Sequence, residues 1–171
     1  MVGVAFDKTP GDAEFEGLRD AFLAMYESNL CNHTRFFDGM DETVARLEKN
    51  NIVWGIVTNK ASRFTTPLVK QLGLDTRAGC IVSGDTTPHS KPHPAPLLHA
   101  AALLGVAAND CWYVGDDERD IIAAHAAGMK SVIALYGYLG GTDPATWNAH
   151  AAVTTPLGLL DLFDPAPISI A

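Results

Sequence analysis

Cations are scarce in this chain of 171 residues: 12 lysines and arginines stand against 20 aspartates and glutamates, a formal net charge of −8. An acidic surface repels phosphate backbones, which argues against a nucleic acid partner. A small phosphorylated metabolite stays open as a ligand, because a local pocket can oppose the global charge. Cysteine is scarce too. Cys31, Cys80 and Cys111 are odd in number, widely spaced and form no C-x-x-C pair, so free thiols in a reducing cytoplasm are expected. Long apolar runs are absent: no stretch approaches the ~20 residues of a membrane span. The start, Met1 to Phe6, lacks the basic flank of a signal peptide, and no membrane partner is expected. Low-complexity tracts are absent as well, so disorder is expected only at the ends.

Hydrophobic residues make up 47% of the chain, enough for one domain with a proper core. Helical and extended patterns alternate along it. A first helix is expected from about Glu14 to Asn29, capped by Asp12, with Leu18, Phe22, Met25 and Tyr26 on one stripe. Asp38 is the expected cap of a second helix that carries Val44, Ala45 and Leu47 and ends near Asn50 and Asn51. The run Ile52 to Val57 is continuously apolar, as a strand buried on both faces of a parallel sheet would be. Helices near 63–72, 96–104 and 119–127 are expected to stop at Gly73, Gly105 and Gly128. Strands are expected near 80–83, 111–114, 131–135 and 151–153, with a short helix at 144–149 and a last one at 157–163. This alternation argues an α/β fold, a doubly wound parallel sheet with helices on both faces. In such folds ligands sit at the carboxyl ends of the strands.

Three of those ends carry chemistry. After Val57 comes Thr58-Asn59-Lys60, after the strand near Val82 comes Ser90-Lys91-Pro92, and after Val114 comes Gly115-Asp116-Asp117-Glu118-Arg119-Asp120. A hydroxyl and a backbone amide can hold a phosphoryl oxygen, a lysine neutralises charge on the phosphoryl group, and clustered carboxylates suit Mg²⁺, a hard cation that takes oxygen ligands. Each piece alone has a plain structural reading: a strand end, a loop lysine, a helix cap. Their order, each after its own strand, points to phosphoryl transfer.

Thr58, Lys91 and Gly115-Asp116-Asp117-x-x-Asp120 resemble the second, third and fourth motifs of the haloacid dehalogenase superfamily. The stretches Val57 to Lys60, Ser90 to Pro94, Val114 to Asp120, Ala126 to Met129 and Tyr136 to Tyr138 resemble its phosphoglycolate phosphatase type, and about equally the N-acetylmuramic acid 6-phosphate phosphatases. The resemblance implies a Rossmann-like core, a Mg²⁺-dependent phosphatase and an aspartyl-phosphate intermediate. It implies Thr58 and Asn59 as phosphate ligands, Lys91 as the group that stabilises nucleophile and phosphoryl, and Asp116 with Asp120 at the metal. It also implies that residues 1–36 are the remnant of a helical cap and its linker, that 37–163 form the core, and that 164–171 are a flexible tail. The helix near Glu14 to Asn29 then covers apolar core or pairs with a second subunit in a homodimer.

The family's first motif, an apolar strand followed by D-x-D-G-T, occurs nowhere in the chain, and only 57 residues precede Thr58. The reading is therefore of an N-terminally truncated member that lacks its nucleophile. Asp7, after the apolar run Val2 to Phe6, is the local alternative, but Pro10-Gly11 stands where the motif's Gly-Thr would follow. The absent strand would sit between the strands that end at Thr58 and at Asp116, leaving two unpaired edges. Residues 2–6, another chain or a rearranged sheet would fill the gap; direct pairing of the two strands would count against this. Two functional readings follow. One is a phosphatase for a small phosphate monoester in the complete family protein. The other is an inactive domain that at most binds phosphate or Mg²⁺. A receiver-like signalling domain fits less well, since its phosphoacceptor belongs on an early strand end.

Overall fold

The computed structural model describes residue 9 and residues 11–163. Asp7 and the apolar run before it lie outside the described residues, as does the tail 164–171. The chain divides into two compact units, one ending at Arg35 and the other starting at Phe36.

The first unit is built on helix α1 (Phe15–Ser28). Its N-cap is Glu14, whose side chain makes no capping hydrogen bond, and not Asp12. The Asp12 carboxylate instead accepts from the Thr9 backbone amide at 2.6 Å, closing a turn ahead of the helix. None of the helix residues is buried within the described structure.

The second unit alternates as the sequence predicts: α2 (Met40–Lys49), β1 (Gly55–Val57), α3 (Ser62–Gln71), β2 (Cys80–Val82), α4 (Ala95–Leu104), β3 (Trp112–Gly115), α5 (Glu118–Ala126), β4 (Lys130–Ala134), β5 (Ala151–Val153) and α6 (Leu160–Phe163). Gly73, Gly105 and Gly128 follow α3, α4 and α5 in the left-handed region that stops a helix. Asp38 does not cap α2; its N-cap is Gly39, at φ 87°, and Thr43 Oγ1 donates back to the Gly39 carbonyl. The segments expected as helices at 144–149 and 157–163 begin as 3₁₀ turns, Pro144–Trp147 and Pro156–Leu159. In both, a proline stands in the first turn, and the Asp143 or Thr155 side chain caps it.

All pairing is parallel, but it forms two ladders: β1–β2, and β3–β4–β5. Among the described residues no ladder joins β1 to β3. The strand expected over 52–57 shrinks accordingly to three residues, and Val53 is 60% exposed. A strand with a paired neighbour on one side only is not buried as an interior strand is. One apolar cluster nevertheless unites the halves: Leu97 and Ala101 of α4 pack with Ala123 and Ala124 of α5, against Val57 of β1 and Tyr113 of β3. A second cluster joins Ile121 of α5, Ile133 of β4 and Trp147. No helix among the described residues is long and apolar enough to cross a membrane.

Ile121 is fully buried against Ile133 and Trp147. Ile121→Ala should therefore lower unfolding stability by about 2–5 kcal/mol, read as a shift of the urea midpoint at unchanged slope.

Candidate active site

The five side chains that the sequence points to stand at the carboxyl ends of β1 and β3: Thr58 and Asn59 after β1, Asp116 and Asp120 after β3, and Lys91 reaching both. Thr58 continues the β1 ladder, its amide donating to the Val82 carbonyl at 2.9 Å, while its hydroxyl accepts from the Lys60 amide at 3.1 Å. Asn59 clasps the proline-rich loop: its Nδ2 donates to the Lys91 carbonyl at 2.9 Å, and the Lys91 amide donates back to Oδ1 at 3.0 Å. The same loop contains a cis Lys91–Pro92 bond. In the structure Asn59 thus fixes the backbone that carries the lysine.

Lys91 has its three ammonium donors in use. Nζ reaches the Val57 carbonyl at 3.1 Å, the Tyr113 hydroxyl at 2.7 Å and Asp120 Oδ1 at 2.8 Å. The Lys91 and Asp120 side chains are only 10% and 9% exposed. The Tyr113 hydroxyl in turn donates to the Val57 carbonyl at 3.1 Å. Burial pushes the Tyr113 phenol well above its ordinary value, and the charges of Asp120 and Asp116 push it the same way. The edge carbonyl of β1 is therefore met by two side chains where a neighbouring strand's amide would otherwise serve it.

Asp116 sits just past β3, and its Oδ2 accepts from the Tyr138 amide at 2.8 Å. Its Oδ1 has no protein partner among the described residues. Asp117 is the N-cap of α5 and holds the Arg119 amide, Nε and Nη2 at 2.9, 2.8 and 2.7 Å. The Arg119 hydrogen bonds hold the Asp117 carboxyl down at about 2. Asp120, expected beside Asp116 at a metal, has both oxygens engaged: Oδ1 by Lys91, and Oδ2 by the Asp117 amide at 3.3 Å. Two glycines make the crowding possible. A Cβ on Gly115 would lie 2.3 Å from Asp120 Cβ, and one on Gly137 would lie 2.4 Å from Asp116 Cβ. Among the described residues no group of three or more His, Cys, Asp or Glu gathers as a metal cage.

One hollow of about 560 Å³ lies elsewhere: His125, Met129, Lys130 and His150 line it at the amino end of β4. There Ser131 Oγ sits 3.1 Å from His125 Nε2 and 3.0 Å from His150 Nδ1, a polar network closed on itself. His93 caps the start of α4, its Nδ1 accepting from the Ala95 amide at 3.1 Å.

The sequence model of the haloacid dehalogenase-like hydrolase family matches residues 4–134. The chain belongs to this family. Among the haloacid dehalogenase-like hydrolases it is of the phosphoglycolate phosphatase type. It is 47% identical over 167 residues to a phosphoglycolate phosphatase of Xanthomonas campestris pv. campestris, covering 97% of this chain and 74% of that one. It is 40% identical over 167 residues to an N-acetylmuramic acid 6-phosphate phosphatase of Pseudomonas putida, covering 97% and 75%. The crystal structure of a predicted phosphoglycolate phosphatase from Haemophilus somnus superposes with a TM-score of 0.85 at 28% identity, covering 94% of this chain and 71% of that one. The fold of this haloacid dehalogenase-like hydrolase is thus shared with a solved relative.

Sequence reasoning missed Tyr113, and it quoted Gly115, Gly137 and Tyr138 only within resembling stretches, without a role at the site. Tyr113 reads as one more residue of an apolar strand, and only its contact with Lys91 reveals it. Tyr113→Phe leaves the Val57 carbonyl and Lys91 each one partner short, so a loss of about 1–3 kcal/mol in stability is expected on chemical denaturation. For Asp117 the linkage has a definite sign. A carboxyl held below its ordinary value of about 3.9 stabilises the fold fully above that pH and loses its contribution as pH falls towards 2. Wild type should therefore lose stability more steeply than Asp117→Asn between about pH 4 and pH 2, in acid titrations followed by circular dichroism.

Proposed function

We propose that this site hydrolyses a small phosphate monoester of the phosphoglycolate type, through an aspartyl-phosphate, with Mg²⁺ as cofactor. The observation that carries the reading is the Lys91 ammonium, fixed between the strand that ends at Thr58 and the helix that follows Asp116. Thr58 and the amides after β1 would bind phosphoryl oxygens. Lys91 would neutralise charge that builds between attacking group and phosphorus. Asp116 offers Oδ1 as a hard oxygen ligand, and Mg²⁺ takes one or two carboxylates and keeps waters and phosphate oxygens for its other positions, so the donor set fits. When bound, the ion would neutralise phosphate charge and polarise the phosphorus–oxygen bond. Asp120 then acts as a positioning residue for Lys91. The first unit, on the same reading, is the end of a cap. The free state of Cys31, Cys80 and Cys111 supports a reducing, cytoplasmic setting.

Attack on phosphorus needs a carboxylate that the strand-end set does not include. No D-x-D-G-T occurs in the sequence, and β1 and β3 are unpaired with each other among the described residues. These two facts favour a second reading, a domain that binds phosphate and Mg²⁺ without turnover. Hydrolysis of phosphoglycolate and of an aryl phosphate in Mg²⁺, beside calorimetry with inorganic phosphate, separates the two. Turnover supports the first reading, and binding without turnover the second; absence of both sinks each. Where turnover occurs, Thr58→Ala and Lys91→Ala should each lower kcat/KM by about 10²–10³. Loss of turnover in Asp7→Asn would identify Asp7 as the attacking group.

A further inference from the structure

The hollow at the amino end of β4 takes no part in the hydrolytic chemistry. β3 and β4 run parallel, with Trp112 beside Lys130 at one end and Gly115 beside Ile133 at the other. The hollow and Asp116 therefore lie at opposite ends of these strands. Asn109, His125, Lys130, Asn148 and His150 supply its polar lining, and no aspartate or glutamate lines it. Such a patch runs against the net charge of −8 that the chain carries. The Lys130 ammonium stands 5.0 Å from the centre of the Trp112 ring and has no carboxylate partner among the described residues. The Asn109 and Asn148 carboxamides have no hydrogen-bond partner among them either.

The hydrogen bonds on Ser131 assign the protons of both imidazoles. The Ser131 amide donates to His150 Nδ1 at 3.1 Å, so that nitrogen holds its lone pair inward and the His150 proton sits on Nε2. With this lone pair taken, the Ser131 hydroxyl turns its proton to His125 Nε2 at 3.1 Å, and its oxygen accepts from the His150 amide at 3.4 Å. The His125 proton then sits on Nδ1. Each ring thus commits its lone pair to Ser131, which is fully buried, and carries its N–H on the far side from it. Both rings line the hollow. A metal ion needs lone pairs and finds none there; an acceptor-only ligand finds N–H donors. The carbonyl end of α5 does not oppose this, since the Ala127, Gly128 and Met129 amides close onto the Ala123, His125 and Ala124 carbonyls. We infer that Lys130, His125 and His150, with the Asn109 and Asn148 carboxamides, form a second anion site, for a small ligand with a phosphate or carboxylate head. The inference does not rest on the hydrolytic reading of the Asp116 edge.

Binding to protein freed of divalent cations over a chelating resin tests it apart from the Asp116 edge, where carboxylates are in excess. Inorganic phosphate and malonate would be titrated by calorimetry, with the histidine ring nitrogens of ¹⁵N-labelled protein followed by NMR. Before ligand is added, His125 should show the Nδ1–H form and His150 the Nε2–H form. Each anion should bind saturably, with Kd on the order of 1 mM, and shift the resonances of both rings. The tighter of the two anions identifies the head group. Lys130 is exposed, so Lys130→Ala should leave the fold intact and weaken binding roughly three- to tenfold; Lys130→Arg should hold it within about twofold. Absence of saturable binding, affinity unchanged in Lys130→Ala, or binding that leaves both rings unshifted overturns the inference. Uptake of Zn²⁺ by the two rings in place of either anion overturns it as well.

Discussion

Lys91 carries its charge into a place where little water reaches, and a buried ammonium is tolerated only when every proton finds an acceptor. The acceptors come from three different elements: the Val57 carbonyl of β1, the Tyr113 hydroxyl of β3 and the Asp120 carboxylate of α5. Asn59 fixes the loop from which the lysine projects. The two ladders share no backbone hydrogen bonds among the described residues, so this polar knot and the apolar cluster around Leu97 and Ala123 are what hold their facing edges in register. Such a buried pair is weak as a net stabiliser, yet removing one partner strands the other charge, a penalty of about 3–5 kcal/mol. The knot therefore acts more as a constraint on geometry than as a source of stability.

Close backbone approach serves the same edge. Asp120 lies against Gly115 and Asp116 against Gly137, each at a distance that any side chain on the glycine would forbid. The carboxylates are pressed onto the main chain of β3 and of the loop after β4, and Asp116 gains the Tyr138 amide as a result. The capping box of Asp117 and Asp120 starts α5 directly behind them, which ties the metal-type residue, the cap and the lysine partner to one helical turn.

Much of this is legible in the amino-acid sequence. The alternation of apolar runs with helical stripes sets out the order of the elements, and glycines at 73, 105 and 128 mark helix ends where the backbone turns left-handed. The order Thr58, Lys91, Asp116 marks the edge. Local chemistry misleads at the caps: Asp12 and Asp38 have the right residue type, but Asp12 is held by Thr9 and α2 starts from Gly39. The run 52–57 is apolar enough for an interior strand, yet strand length depends on neighbours, and β1 has a described neighbour on one side only. Tyr113 is invisible for a related reason. A tyrosine in an apolar run carries no sign that its hydroxyl will meet a lysine from a loop more than one element away.

Charge balance at the edge bears on how a phosphate could be held in an acidic protein. Around the end of β3 stand three carboxylates, Asp116, Asp117 and Asp120, against two cations, Lys91 and Arg119, and both cations are already paired with members of that carboxylate set. A phosphate monoester dianion approaching this arrangement meets no unpaired positive charge from these five residues. Amide dipoles after β1 can offset part of its charge, but the excess of carboxylate remains. A divalent cation on the open oxygen of Asp116 would reverse the local sign, and on the proposed reading Mg²⁺ becomes an electrostatic condition for binding the substrate as well as an aid to the reaction. The overall acidity of the chain and a taste for phosphate are then compatible, because the attraction is carried by the ion and not by the protein's own surface.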